Sequence, residues 1–296
     1  MAELRFFKYE ALGNDFIIID EMHLSVNKPG QREPSLSLQK RMQLCDRHRG
    51  IGADGIITVF RSEVPDTFAY MHITNLDGSI PEMCGNGFRC VAKWLADEGK
   101  IPRNGEGSLL TDDGVKAFKL GGDMCTVDMG IADFKHATTS GAMCDVTLLL
   151  PKELGLNQTQ VRATAVSIGN PHLVLDMKVS DTEAERIGAF YERHPSFPNR
   201  TNVEFATVIS PTEVFLKVWE RGVGLTKACG TGACASVAAL VEAEKLLENQ
   251  EIIVSLAGGE LYITAQTQKL PATNFESQLQ MIMKGPAYRV FAGFFS

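Results

Sequence analysis

Short apolar runs, rich in β-branched residues and closed by a polar residue, recur along the chain. GNDFIIID (13–20) and GNPHLVLD (169–176) are two such runs, and each predicts a strand. FAYMHITN (68–75) and VFLKVWE (214–220) alternate as half-buried strands. The period then switches. Phe88, Val91, Ala92, Leu95 and Ala96 follow the i, i+3, i+4, i+7, i+8 spacing of a helix, with Gly99 placed to end it. ACASVAALVEA (233–243) is apolar on nearly every side, which predicts a helix wrapped by sheet. YRVFAGFF (288–295) reads as a last strand that returns to the first half.

These elements come in two similar sets. Each set begins with Gly-Asn and an apolar run closed by Asp, at 13–20 and 169–176, offset by 156 positions (169 − 13). Each continues through an alternating strand and a polar loop to Cys-Gly-x-Gly and a helix, at Cys84 and Cys229, offset by 145 (229 − 84). Two ordered echoes favour an internal duplication. The 11-residue difference between the offsets requires extra chain in the first half, and the polar stretch SVNKPGQREPS (25–35) is a natural place for it. The expected fold is mixed α/β (α+β). Two pseudo-symmetric lobes each wrap a curved, mostly antiparallel sheet around a central helix, with the active site in the cleft between them. The N-terminal lobe covers 1–135 plus a C-terminal strand at about 283–296, and the C-terminal lobe covers 136–282.

Composition narrows the function classes. The chain has 296 residues, 44% hydrophobic and 22% charged, with a formal net charge of −7. No basic tract with interleaved aromatics exists, which argues against nucleic acid as a partner. No apolar run approaches the roughly 18–20 residues of a membrane span, and the N-terminus does not read as a signal peptide. The odd count of seven cysteines then points to reduced thiols in a cytoplasm. Cys84/Cys90 and Cys229/Cys234 are spaced six and five apart, which mismatches a structural zinc site. A redox dithiol is disfavoured because the chain holds no Cys-x-x-Cys.

The cysteine loops carry the candidate chemistry. A cysteine at a helix N-terminus meets unpaired N–H groups and the positive end of the helix dipole, both of which favour thiolate. The following glycines let backbone approach a ligand, and the same N–H groups can hold a carboxylate. Two such loops facing one carbon would place a base on one face and an acid on the other. That is what inversion of a stereocentre next to a carboxylate needs, with N–H groups stabilising the carbanion-like intermediate.

GNDF (13–16), GIGADG (50–55), NLDGSIPEMCGNGFRC (75–90), GNPH (169–172), FPNRTN (197–202) and ERGVGLTKACGTGACAS (220–236) together resemble the diaminopimelate epimerase family, in order and across nearly the whole chain. The resemblance implies the two-lobed fold, no cofactor (in particular no pyridoxal phosphate), a homodimer, and interconversion of LL- and meso-diaminopimelate for lysine or peptidoglycan synthesis. It implies Cys84 and Cys229 as the acid/base pair and Gly85, Asn86, Gly230 and Thr231 around the carboxylate at the reacting carbon. It further implies substrate contacts from Asn14 and Asn170, and Asn75, Asn202, Glu220 and Arg221 as readers of the distal amino acid end. His172 would orient a neighbour of the site. The chain departs from the family pattern at Glu10-Ala11-Leu12 and at Gly55, where some members carry His-Gly-Leu and Gln.

Plainer readings apply elsewhere. Cys45, Cys90, Cys125, Cys144 and Cys234 are expected to be buried packing thiols. Asn75 and Asn202 suit turns, Glu220-Arg221 suits a solvated pair, and His48 and Arg49 suit a loop. Two functional alternatives stay open: a related two-cysteine amino-acid racemase, and a non-catalytic ligand-binding relative of the same fold. The racemase is expected to lack the distal-end readers and the binding protein to lack one or both cysteines.

Overall fold

The computed structural model describes residues 3–81, 83–138, 141, 143–269 and 277–295. Glu82, inside the first cysteine motif, lies outside the described residues. The chain divides into two compact units, Met1–Asp128 with Lys284–Ser296, and Met129–Met283.

The first unit is built from β1 (Leu4–Ala11), β2 (Asn14–Val26), α1 (Leu38–Cys45), β3 (Gly55–Ser62), β4 (Ala69–Asn75), α2 (Gly85–Asp97), β5 (Glu106–Thr111), β6 (Gly114–Gly121) and the start of β7 (Met124–Ile131). β1 and β2 pair antiparallel with Phe7 opposite Ile18. β2 and β3 pair parallel with Ile17 opposite Ile56, and β3 and β4 antiparallel with Ile57 opposite Ile73. β4 and β5 are again parallel, with Ala69 opposite Leu109. Parallel neighbours need a long crossover, and α1 and α2 supply the two crossovers.

The second unit repeats this order with β8 (Val146–Leu149), β9 (Gln160–Ser167), β10 (Pro171–Asp176), α3 (Asp181–Glu192), β11 (Asn202–Ser210), β12 (Glu213–Glu220), β13 (Gly224–Thr226), α4 (Gly230–Glu242), β14 (Glu251–Leu256), β15 (Gly259–Lys269) and most of β16 (Ser277–Pro286). β9–β10 is antiparallel, β10–β11 parallel through α3, β11–β12 antiparallel, and β12–β14 parallel through α4. β17 (Tyr288–Phe295) pairs with β1 of the first unit.

Register locates the extra residues of the first half. Phe16 opposes Gly55, 39 positions on (55 − 16), whereas His172 opposes Asn202, 30 positions on (202 − 172). Nine of the eleven therefore lie between β2 and β3. The strand read at 13–20 also runs further than expected, to Val26. After a bulge between Glu21 and Ser25, Ser25 and Val26 rejoin Arg61 and Ser62. The polar stretch at 25–35 therefore begins inside a strand.

The crossover helices α2 and α4 are enclosed. Every α2 residue from Gly85 to Ala96 is buried except Lys93, and every α4 residue from Gly230 to Leu240 is buried. Both helices end the same way, on a residue with left-handed backbone: Gly99 (φ 68) in one and Glu244 (φ 55) in the other, again 145 positions apart (244 − 99). The Lys100 and Lys245 amides then return to the Leu95 and Leu240 carbonyls at 2.8 Å, a Schellman-type closure. Among the described residues no helix is long and apolar enough to cross a membrane.

α3 opens with a complete capping box, Ser180 and Glu183, and packs on β12 through Gly188. A Cβ added at Gly188 would stand 2.4 Å from Trp219 Cγ. Trp219 in turn donates from Nε1 to Glu192 Oε2 at 2.8 Å. A Gly188→Ala substitution is therefore expected to destabilise the protein by about 1–3 kcal/mol, the usual range for overpacking. The check is a thermal midpoint lowered by several degrees with the far-ultraviolet circular dichroism retained.

Candidate active site

Each unit presents one cysteine at the mouth of its enclosed helix. Cys84 precedes α2 in extended conformation (φ −136, ψ 104), and its sulfur accepts the Gly87 N–H at 3.4 Å. Cys229 precedes α4 with φ −129 and ψ 117, and its sulfur accepts the Gly232 N–H at 3.4 Å. Both thiols therefore serve as helix N-caps, a task normally given to Ser, Thr, Asp or Asn. The glycine that donates is required in each case. A Cβ at Gly87 would stand 2.9 Å from Ile57 Cδ1, and one at Gly232 would stand 2.9 Å from Glu204 Oε1.

Around Cys84 a line of amides is held in fixed orientation. Arg89, fully buried on α2, donates from Nη2 to Asn86 Oδ1 at 2.7 Å and from Nη1 to the Gly85 carbonyl at 3.3 Å. With its oxygen so engaged, Asn86 turns Nδ2 toward Asn14 Oδ1, 3.4 Å away. Asn14 donates from Nδ2 to Asp54 Oδ2 at 2.9 Å. Asp54 and Asp15 are both bridged by Arg47 at 2.7 Å. Asp15 sits well below the usual carboxylate range because its bonds to Arg47 and Lys8 outweigh the opposing cost of its partial burial. The GIGADG stretch thus enters the site through Asp54. Gly55 contributes backbone alone, and a Cβ there would come within 3.0 Å of the Thr74 carbonyl oxygen.

The second mouth is built differently. Thr231 Oγ1 lies 3.4 Å from Cys229 Sγ and accepts from Asn170 Nδ2 at 3.4 Å. Asn170 Oδ1 faces His172 Nε2 at 2.9 Å, and His172 Nδ1 faces Glu204 Oε1 at 2.7 Å. The expectation that a helix mouth favours thiolate does not hold for the resting Cys229. Burial, reinforced by the Glu220 carboxylate, pushes this thiol well above its ordinary range, against the hydrogen bonds from Thr231 and Gly232.

The four residues read as distal-end contacts cluster in part. Asn202, Glu220 and Arg221 are joined through one turn: Asn202 Oδ1 accepts the Arg221 N–H at 2.9 Å, and Asn202 Nδ2 donates to the Pro171 carbonyl at 3.0 Å. Arg221 donates from Nη1 to the Asn199 carbonyl at 3.1 Å, and Glu220 Oε1 accepts from Thr226 Oγ1 at 2.5 Å. Asn75 belongs to the first unit, at the end of β4, where its Nδ2 donates to Ser79 Oγ at 3.0 Å. Gly85 and Gly230 are the first residues of α2 and α4.

Of the remaining cysteines, Cys45, Cys90, Cys125 and Cys234 are buried, and burial pushes Cys90 up strongly and Cys125 up to about 12. Cys144 departs from the expectation of a buried packing thiol. It is half-buried, on the irregular segment before β8, between Met143 and Asp145, which both bond to β9. Among the described residues no group of three or more His, Cys, Asp or Glu gathers to hold a metal. Sequence reasoning missed Glu204, Arg89 and Asp54. Their signals were a charge set inside an apolar strand (TNVEF), a cation on an apolar helix face, and an Asp at the foot of a strand.

A model of the diaminopimelate epimerase family matches residues 6–135 and 164–290, which takes in every residue of both mouths. The diaminopimelate epimerase of Synechococcus sp. (strain JA-3-3Ab) is 38% identical over 301 residues, covering 99% of this chain and 98% of the relative. That of Nostoc punctiforme is 40% identical over 296 residues, covering 98% and 99%. Among solved structures, a hydroxyproline epimerase from Agrobacterium vitis superposes with a TM-score of 0.70 at 13% identity, covering 100% of this chain and 91% of that one. That likeness speaks for the fold. The family match and the full-length relatives go further, and on them the chain belongs to the diaminopimelate epimerase family.

Proposed function

We propose that this protein epimerises LL-2,6-diaminopimelate to the meso form without a cofactor, by two-base proton transfer between Cys84 and Cys229. The observation that carries the reading is the pair of cysteine-capped helix mouths on duplicated scaffolds. In this reading one thiolate removes the α-proton and the other thiol delivers a proton to the opposite face. The two sulfurs then exchange states for the next turnover. Backbone N–H groups at Gly85, Asn86, Gly230 and Thr231 hold the α-carboxylate and the charge that grows on it as the proton leaves. Asn14 and Asn170 flank it. Asn75, Asn202, Glu220 and Arg221 recognise the unreacting end, where a guanidinium suits a carboxylate and Glu220 suits an ammonium.

In the resting enzyme Cys229 is the proton donor, since burial and the nearby Glu220 carboxylate hold its proton. The two domains span 1–135 with about 283–296 and 136–282, and the enzyme works in the cytoplasm as a homodimer. Tyr288, Val290, Phe291 and Phe294 of β17 are exposed, and this strand offers apolar side chains to a second copy.

Deuterium incorporation at the α-carbon, followed by NMR in heavy water without pyridoxal phosphate, tests the reading. Wild type is expected to incorporate deuterium with inversion. Cys84→Ala and Cys229→Ala are each expected to lose inversion by about 10²–10⁴-fold, the contribution of a positioned acid or base. A wild type that leaves diaminopimelate untouched but inverts another amino acid would move the assignment to a racemase.

The direction in which Cys229 donates its proton should show an alkaline limb in kcat/KM, because the rate falls once that thiol ionises. With its proton held above the ordinary thiol pKa of about 8.5, the limb is expected above that value. A pH–rate profile that turns down below it contradicts the assignment of Cys229 as the resting donor.

A further inference from the structure

The two helix mouths differ in what lies beneath them. Ile57 and Glu204 occupy matching positions, each two residues after the strand residue that opposes Phe16 or His172. In the first unit, therefore, the pair beneath the mouth is Phe16 and Ile57. In the second it is His172 and Glu204, both completely buried. A charge-capable pair in a protein interior is costly unless every polar atom has a use. From Glu204 the hydrogen bonds run in one line: to His172, to Asn170, to Thr231 and to the Cys229 sulfur.

With a neutral imidazole at its centre, proton counting sets the direction of this line. The Asn170 oxygen accepts, so His172 Nε2 carries a hydrogen. A neutral imidazole then has a bare Nδ1, which needs a donor at Glu204 Oε1. A protonated carboxyl supplies it. The other carboxyl oxygen, Oε2, is buried with no hydrogen-bond partner among the described residues. That is tolerable for the carbonyl oxygen of an acid and costly for half of a carboxylate. Burial also holds the Glu204 carboxyl above its ordinary range, against the pull of His172. At the far end, Thr231 Oγ1 already accepts from Asn170, so its own hydrogen is left for the sulfur. The sulfur then receives two donors, the Thr231 hydroxyl and the Gly232 N–H.

We propose that Glu204 is a positioning residue for Cys229: as a neutral acid it fixes the His172 tautomer, and through it the Asn170 carboxamide and a Thr231 hydroxyl aimed at the sulfur. The inference rests on Cys229 being one of the two reacting thiols. Glu204 touches neither substrate nor sulfur in this scheme. Its effect is to keep a donor on the thiolate that forms at Cys229 in each turnover. An ionised Glu204 would act in the opposite sense, joining Glu220 in opposing that thiolate.

The test compares Glu204→Gln and Glu204→Leu in two measurements. The first is α-proton exchange of diaminopimelate. Glu204→Gln keeps a donor toward His172 Nδ1 and is expected to retain the wild-type rate closely. Glu204→Leu breaks the line and is expected to lower kcat by about 10²-fold, the scale of a misplaced catalytic group. The second is the ultraviolet thiolate absorbance of Cys229, titrated in a Cys84→Ala background. Its midpoint should stay put in Glu204→Gln and move to higher pH in Glu204→Leu, where the sulfur loses a donor. A midpoint that falls in either variant would show that a negative charge had been removed, and would overturn the proposal. So would equal losses of exchange in both variants, or no change in either. Should Glu204→Leu not fold, the midpoint in Glu204→Gln decides alone: unchanged for a neutral acid, lowered for a carboxylate. A wild type inactive on diaminopimelate would fault the two-thiol reading, while the titration would still judge Glu204.

Discussion

The N–H groups in the first turn of a buried helix have no partner within the helix and no water to turn to. In this protein one of those groups, in each of two helices, is met by a cysteine sulfur. Sulfur is a weak acceptor, and a Ser, Thr, Asp or Asn at the same place would stabilise each helix by about 0.5–2 kcal/mol more. The structure tolerates that cost because α2 and α4 are enclosed by sheet and stand on apolar packing. What it gains is a sulfur whose position is set by backbone. The enclosing sheet, the glycine after each cysteine and the crossover topology all follow from placing a reactive atom at the end of a helix that cannot shift.

The same constraint explains how the two halves diverged. Strand order, crossover helices and helix termini match between the units, down to the left-handed residue at Gly99 and Glu244. The differences gather under the mouths: Arg89 and Asn86 orient amides beside Cys84, while Glu204, His172 and Thr231 stand beside Cys229. A two-base reaction needs one thiol protonated and one not. Identical surroundings would leave that choice to chance, and the burial of Cys229 beside the Glu220 carboxylate biases it. The bias sets which protonation state waits for substrate and leaves the overall equilibrium between stereoisomers untouched.

Much of this was legible in the sequence. The duplicated Gly-Asn runs and Cys-Gly-x-Gly loops gave the repeat. The all-round apolar ACASVAALVEA pointed to a helix enclosed by sheet, which is how α4 sits. Other features were not legible because their signal is tertiary. Val26 extends β2 through a bulge that rejoins β3, and no local pattern marks a bulge. α1 has a weak apolar face, with Arg41, Leu44 and Cys45 as its buried residues. Glu204 is a carboxyl of a type that is almost always exposed, yet it lies buried between Val203 and Phe205. The state of Cys229 could not be read from its place on a helix, since burial of the thiol and the Glu220 carboxylate at the end of β12 both oppose the helix dipole.

In the proposed function, chemistry and recognition also sit on different kinds of scaffold. The cysteines ride on helix termini fixed by enclosure, whereas Glu220 and Arg221 sit on the tight turn from β12 into β13. That turn is itself tied down. Asn202 spends its oxygen on the Arg221 amide and a hydrogen on the Pro171 carbonyl. Glu192 receives the Gly222 amide at 3.2 Å and the Trp219 indole at 2.8 Å, and Gly188 lets α3 close onto that indole. Asn202 is thus a scaffold for its neighbour at least as much as a group for substrate. The strand that carries Asn202 also carries Glu204, two residues on and on the same side of the sheet. One strand, β11, therefore supports the recognition turn with its first residue and the base of the Cys229 mouth with its third. In the proposed mechanism a small shift of β11 would disturb the distal contacts and the reacting sulfur together, so that substrate length and proton transfer would be held to one register.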